Sequence, residues 1–317
     1  MTGELICWDG RRIALPDVTG WKFQYGMGSP CDSFLLTCLW EPEGEDPLAE
    51  AVTFTAAEDG ETVFTGVVDE CERGWNGGGG FLTVSGRSMA ARLLDNEALG
   101  MEYQVATWQD ILRDHVAPYG VECLPGGGNL PAVPGFVVET GSSEWQVVYQ
   151  FCRYYGGVTP RFDRRGRLDV GPWPETAGLR LGAGAAVTAL TLRDQRYGVL
   201  SQVLVRDRTT QAVRTVEEAD FARRGGMSRR VLTMPGRSTY QAMRYSGEYQ
   251  LTRAREELRR LEIELPGSFL AWPGELVEVD LPRGTGRGVW RVAEMTCRLD
   301  EQGRYTWLSL GEPEVLK

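Results

Sequence analysis

The first third of the chain is a succession of short aromatic or β-branched runs, each cut off by Gly, Pro or Asp. Segments 13–15, 21–25, 33–40, 51–54, 62–68 and 80–85 all have this form. Runs of four to eight such residues at regular spacing predict strands of a small antiparallel barrel or sandwich. Glycines 77–80 lie between the last two runs. No helix signal follows them directly, so they read as a hairpin tip rather than a phosphate cradle.

The pattern changes near residue 86. A short helix is predicted over 88–94, and Thr107 opens a second, with Ile111, Leu112 and Val116 on one side before Pro118 and Gly120 end it. Ser143 and Gln146 fit a capping box. Behind them Trp145, Val148, Tyr149 and Cys152 recur at helical spacing up to Gly156, and a hairpin follows over 158–170. In the last third Ser238 and Gln241 suggest another capping box. The stripe Tyr240, Met243, Gly247, Leu251, Ala254, Leu258 and Leu261 predicts a helix over 239–262, broken or kinked at Ser246-Gly247. Segments 275–281, 288–298 and 304–310 then read as a three-stranded meander.

A shift of 226 residues lays 63–86 on 289–312 without a gap, with four identities, among them Cys71 on Cys297 and Leu82 on Leu308. The same hairpin thus closes the first β region and the last. The fold expected is α+β, mostly β: two small antiparallel β-barrels flank a mixed α+β domain, and the second barrel carries a helical insertion. The boundaries expected are 1–86 for the first barrel, 87–179 for the mixed domain, 180–211 and 264–317 for the second barrel, and 212–263 for the insertion.

Charge narrows the function. Thirty-four basic residues against forty-four acidic ones leave a net −10, which argues against a protein that grips nucleic acid. All the basic residues but Lys22 and Lys317 are arginine, which fits a GC-rich genome or a preference for forked cations at interfaces. Residues 193–263 hold fifteen arginines and nine acids, a local +6, so the remainder carries −16. Within that stretch Arg223, Arg224, Arg229 and Arg230 flank Gly225-Gly226 as a basic turn, the candidate subunit or partner interface. A solvated surface is the plainer reading of the same charges.

Little chemistry is on offer. His115 is the single histidine, and it sits near a predicted helix end, where a cation complements the helix dipole, so it reads as packing rather than catalysis. Seven cysteines form no Cys-x-x-Cys pair and read as reduced, buried thiols. No catalytic residue, metal ligand or cofactor-binding residue is assigned, and no cofactor is expected. No run of eighteen apolar residues is present, so membrane insertion is not expected.

The order of the motifs resembles a known family. Segments 63–68 and 81–95 and the helix start at Thr107, then helix 239–262 and segments 270–280 and 288–292, are similar to the baseplate hub (late-control D) family of contractile-tailed phages, phage-tail-like bacteriocins and contractile injection systems. That resemblance implies a structural protein without catalytic activity. It implies a homotrimer whose two barrels per chain form a pseudo-sixfold ring, with a threefold spike protein below and tail-tube or tube-initiator proteins above. Baseplate wedge proteins are further partners it allows; specific nucleic-acid binding is not among its implications. Synthesis in the bacterial cytoplasm and a mature place in the baseplate of a released particle follow from the same resemblance. The rival readings are a tail-associated glycan hydrolase using paired carboxylates and a carbohydrate-binding β module. Most of the ten tryptophans sit at alternating strand positions, which favours core packing over sugar binding.

Overall fold

The computed structural model describes residues 1–27, 30–40, 47–234, 240–282 and 284–316. They divide into two compact units. One comprises Met1–Pro172, Glu264–Pro273 and Glu294–Trp307; the other comprises Trp173–Ile263, Gly274–Ala293 and Leu308–Lys317. The architecture is α+β and mostly β.

In the first unit the strands follow one another in the hydrogen-bonded order Arg12–Ala14, Thr2–Cys7, Ala51–Glu58, Glu61–Asn76, Gly79–Ser88, Ser33–Leu39 and Val18–Gly26. Residues 294–299 of the strand Gly288–Asp300 then pair with Val18–Gly26. The strand Thr2–Cys7 had no counterpart in the sequence reading. It is short and carries Glu4 within it, yet it alternates strictly, with Gly3, Leu5 and Cys7 buried. Alternation over the other strands turns Phe23, Phe34, Phe54 and Phe64 inward, where all four are buried. Phe34 and Phe54 stack with ring centroids 4.1 Å apart, and Phe269 stacks on Trp21 at 5.4 Å. Offset aromatic contacts of this kind add about 0.5–1.5 kcal/mol each beyond the area they bury.

The glycine run is the hairpin tip the sequence suggested. Asn76 pairs with Gly79, Gly79 has φ +113°, and the Gly78 amide donates to Asn76 Oδ1 at 2.8 Å. Further along the same hairpin the register shifts between Val68 and Glu70, and two glycines allow the backbones to close up there. A Cβ on Gly86 would stand 2.0 Å from the Val67 carbonyl oxygen, and one on Gly66 would stand 2.1 Å from that of Arg87. Gly86→Ala is therefore expected to lower stability by about 2–3 kcal/mol, because a rigid ladder carbonyl must move. Urea unfolding checks it; an unchanged midpoint would mean that the bulge yields.

Residues 91–170 hold the mixed part of this unit. Thr107 caps the helix Trp108–Ile111 by accepting from the Asp110 amide, and Asp110 reaches back to the Thr107 amide. Ser143 caps the helix Glu144–Gln150, accepting from the Gln146 amide at 3.2 Å. Each helix loosens into a π-type turn, Leu112–Val116 and Phe151–Tyr155. Their apolar faces, led by Ile111, Val148, Phe151 and Cys152, pack on Tyr103 and Phe136 of the antiparallel pair Met101–Ala106 and Val133–Val138.

In the second unit Ala177–Leu181 runs parallel to Leu276–Val279, which pairs antiparallel with residues 288–291. Residues 202–255 form a three-stranded sheet, with Gln202–Asp207 central between Val213–Glu217 and Arg229–Met234, and a helix over Tyr240–Arg255. Helix residues Met243 and Leu251 pack on Val203, Val205 and Met234. The expected helix over 239–262 is thus too long. Beyond Arg255 the chain turns and becomes the strand Arg259–Pro266, in which Leu261, Ile263 and Leu265 are buried and alternate with glutamates. Leu258 falls in the turn, and a period of two took over the last member of the helical stripe, Leu261. The helix also runs through Ser246-Gly247 unbroken. A Cβ at Gly247 would lie 2.5 Å from Val216 Cγ2, so the glycine serves close packing on the sheet. Ser238 and its expected cap lie outside the described residues.

The later of the two hairpins matched by the 226-residue shift is formed by Gly288–Asp300 and Gly303–Gly311, which are hydrogen-bonded neighbours. Its turn at 301–302 lies 224 residues after the turn at 77–78, so the ungapped shift of 226 is out of step at the turn by one pleat repeat.

Candidate functional site

Each of the four candidate arginines is exposed. Arg223 ends the short helix Ala219–Arg223 and pairs with Asp220. Arg224 follows, and Gly225 at φ +88° turns the chain into the strand Arg229–Met234. Strand alternation then separates the last two. Arg230 lies opposite Val203 and donates from Nη1 to Gln250 Oε1 of the helix at 2.8 Å. Arg229 lies opposite Gln202, on the face of the sheet that the helix does not cover. The structure therefore brings Arg223, Arg224 and Arg229 to one loop region and commits Arg230 to the helix side.

The uncovered face of this sheet is a second element that the sequence reading missed. Register places Glu217, Gln202 and Arg229 in one row, Thr215, Leu204 and Val231 in the next, and Val213, Arg206 and Thr233 in the third. Val213 and Val231 are 59% and 62% exposed, unusual for valines in a sheet. At the first row a recess is lined in part by Ser201, Gln202, Glu217, Gly226, Met227 and Arg229. The visible sequence signal was the alternation of Val213, Thr215 and Glu217, but which side the helix covers is not encoded in it.

His115 is buried, in the π-type turn Leu112–Val116. Its Nδ1 is 2.6 Å from Glu144 Oε2, and its Nε2 is 3.0 Å from the Tyr103 hydroxyl, which donates to Asp114 Oδ2 at 2.9 Å. The Tyr119 hydroxyl donates to the other Glu144 oxygen at 2.6 Å, and that bond pushes its phenol up to about 12. Two carboxylates, an imidazole and two phenols thus satisfy one another within the unit, as buried polar groups require. Glu144 also sits in the first turn of its helix, where the dipole favours a negative charge. Among the described residues no group of three or more His, Cys, Asp or Glu is placed to hold a metal ion. None of the seven cysteines is in a disulfide; four are buried, while Cys31, Cys71 and Cys123 are partly so. Of the ten tryptophans only Trp8 and Trp75 are largely exposed, at 73% and 82%.

Asp32 is a buried carboxyl strongly displaced by its surroundings. Burial pushes it up to about 7, opposed by the Gly26 amide, which donates to it at 3.0 Å. The folded state therefore binds a proton that the unfolded state releases near pH 4. The stability this confers is complete below that pH and is lost as pH rises toward 7. Asp32→Asn is expected to flatten this dependence and to gain about 2 kcal/mol at pH 8. Urea midpoints at pH 5 and pH 8 check it; equal slopes in variant and parent would overturn the assignment.

Compared with known proteins, the chain has the fold of phage tail proteins. It matches a tail protein of Neisseria meningitidis with a TM-score of 0.80 and 20% identity, over 99% of this chain and 96% of that one. It matches the 43 kDa tail protein of prophage MuSo2 from Shewanella oneidensis with a TM-score of 0.80 and 17% identity, over the full length of both. In sequence the chain is similar to the baseplate hub protein gp44 of Escherichia phage Mu, 31% identical over 122 residues, which span 36% of this chain and 32% of the Mu protein. No family model matches. The resemblance to baseplate hubs carried by the order of the motifs is thus present in a direct sequence match as well. Two of these relatives are thus tail proteins and the third is a baseplate hub protein.

Proposed function

We propose that the chain is the baseplate hub of a contractile tail, a homotrimer that joins a threefold spike to a sixfold tail tube. The observation that carries this reading is the full-length fold likeness to phage tail proteins together with the sequence match to a phage Mu hub. Two β regions per chain, each closed by a hairpin of similar length, are what a trimer needs to present six comparable surfaces to a tube. In this reading they form the two barrels, and the ring they make is the adaptor. The function is then binding geometry: strand surfaces and subunit contacts do the work that a catalytic site does elsewhere. The exposed Arg223, Arg224 and Arg229 belong to such a contact surface, since the rest of the chain offers acidic partners.

Light scattering of the purified chain, alone and co-expressed with the candidate spike, tests the reading. The expected mass is three times 35.2 kDa, or a complex of three chains with three spike chains. A monomer that ignores the spike under all conditions would overturn it.

A further inference from the structure

We propose that the uncovered face of the sheet 202–234 receives the tip of the hairpin 61–88 from a second copy of the chain, with Trp75 seated in the recess beside Met227 and Arg229. This deepens the trimer reading and rests on it.

The donor side is unusual for a soluble surface. Trp75 is 82% exposed, and register sets it opposite Gly80, so no side chain across the ladder covers its ring. The strand Ala51–Glu58 accompanies the hairpin only as far as Val67, where Thr53 pairs, whereas Glu61–Asn76 continues for nine more residues. On the other side Ser33–Leu39 follows Gly79–Ser88 as far as Phe81, and the Trp40 amide donates to the Gly80 carbonyl at 3.1 Å, so the backbone beneath the exposed ring is tied into the sheet. A pre-ordered tryptophan loses little entropy on docking, and tryptophans supply a large share of interface hot spots.

The receiving side matches it in size and chemistry. The recess has a volume of about 360 Å³, within the range that compact ligands fill. Met227, 97% exposed at its rim, is a soft thioether suited to an aromatic edge, and the Arg229 guanidinium suits an aromatic face. Val231 and Leu204 extend an apolar floor away from the recess along the second row of the sheet.

Charge selects a second copy as the occupant. Residues 70–76 of the hairpin hold Glu70 and Glu72 against Arg73, a net −1, while residues 202–234 hold seven arginines against four acids, a net +3. Hairpin on hairpin would oppose like charges, and so would sheet on sheet. Hairpin on sheet pairs opposite signs and joins two different surfaces, so the contact is heterologous and propagates head to tail until a ring closes.

The test uses the full chain with the photoreactive residue benzoylphenylalanine at position 75, irradiated and digested with trypsin. The expected product is a subunit–subunit adduct on the peptide 225–229, released by cleavage after Arg224 and Arg229. Adducts that map to any other surface of a second copy, or a trimer without intersubunit adducts, would overturn the contact and leave the trimer standing. Light scattering through a dilution series separates the two ideas further. Trp75→Ala is expected to weaken association by about thirtyfold, and Arg229→Glu by about tenfold, without altering the fold. A parent that stays monomeric throughout removes both readings; a parent and two variants that dissociate together remove only this one.

Discussion

Arg291→Ala is expected to lower the stability of the second unit by about 3–5 kcal/mol, the largest loss from any single substitution considered. The Arg291 side chain is 1% exposed. Its Nη1 donates to the carbonyl oxygens of Pro174 at 2.8 Å and Gly274 at 2.7 Å, and its Nη2 donates to Glu175 Oε1 at 3.0 Å. The Glu175 carboxylate is mostly in water, so the ion pair itself contributes little. The weight lies in the two backbone bonds, which are charge-assisted and enclosed, and in the volume that alanine would leave empty. Arg291→Met fills most of that volume without replacing the bonds, so it is expected to recover less than half of the loss. Arg291→Lys is expected to do little better, because an ammonium is not a planar fork. Urea unfolding of the three variants is the measurement, and an alanine variant with the parent's midpoint would remove the assignment.

The second large effect is expected at Glu144. Glu144→Ala removes the acceptor from both His115 and Tyr119 inside the first unit, and a loss of about 3 kcal/mol is expected. The chain's single histidine provides a direct readout, since one set of imidazole resonances reports the site. In the variant those resonances are expected to move and broaden as the ring loses its fixed partner. Tyr119 adds a signed pH dependence. Its raised phenol stabilises the fold below pH 10, and that contribution fades as pH approaches 12. The variant is expected to lose this alkaline step, which phenolate absorbance follows. Unchanged stability together with an unchanged imidazole signal would show that the network is not held through Glu144.

Much of the architecture was legible residue by residue. The strands of the first third, the glycine tip and the helix starts at Thr107 and Ser143 all follow from interactions reaching no more than a few residues along the chain. The strand Thr2–Cys7 is a weak local signal, six residues interrupted by Glu4, and its pairing with residues 51–57 makes it a strand. Leu258 and Leu261 extended the helical stripe on paper. The chain turns at 256–258, which takes Leu258 out of the helix, and the strand Arg259–Pro266 takes Leu261, burying it with Ile263 and Leu265 on one face.

The candidate surface was only half visible. The cluster of arginines is a matter of composition, and the sequence by itself determined that a basic segment, 193–263, sits in an acidic chain. It also determined which stretches alternate and which cap a helix, because side-chain period and capping bonds act between near neighbours. Only the tertiary structure decided that Arg229 and Arg230 point to opposite faces, that the helix covers one face and leaves the other bare, and that His115 meets Glu144 from 29 residues away. The physical reason is that register and packing bring distant residues together, and which residues meet depends on how every intervening strand is paired rather than on any local pattern.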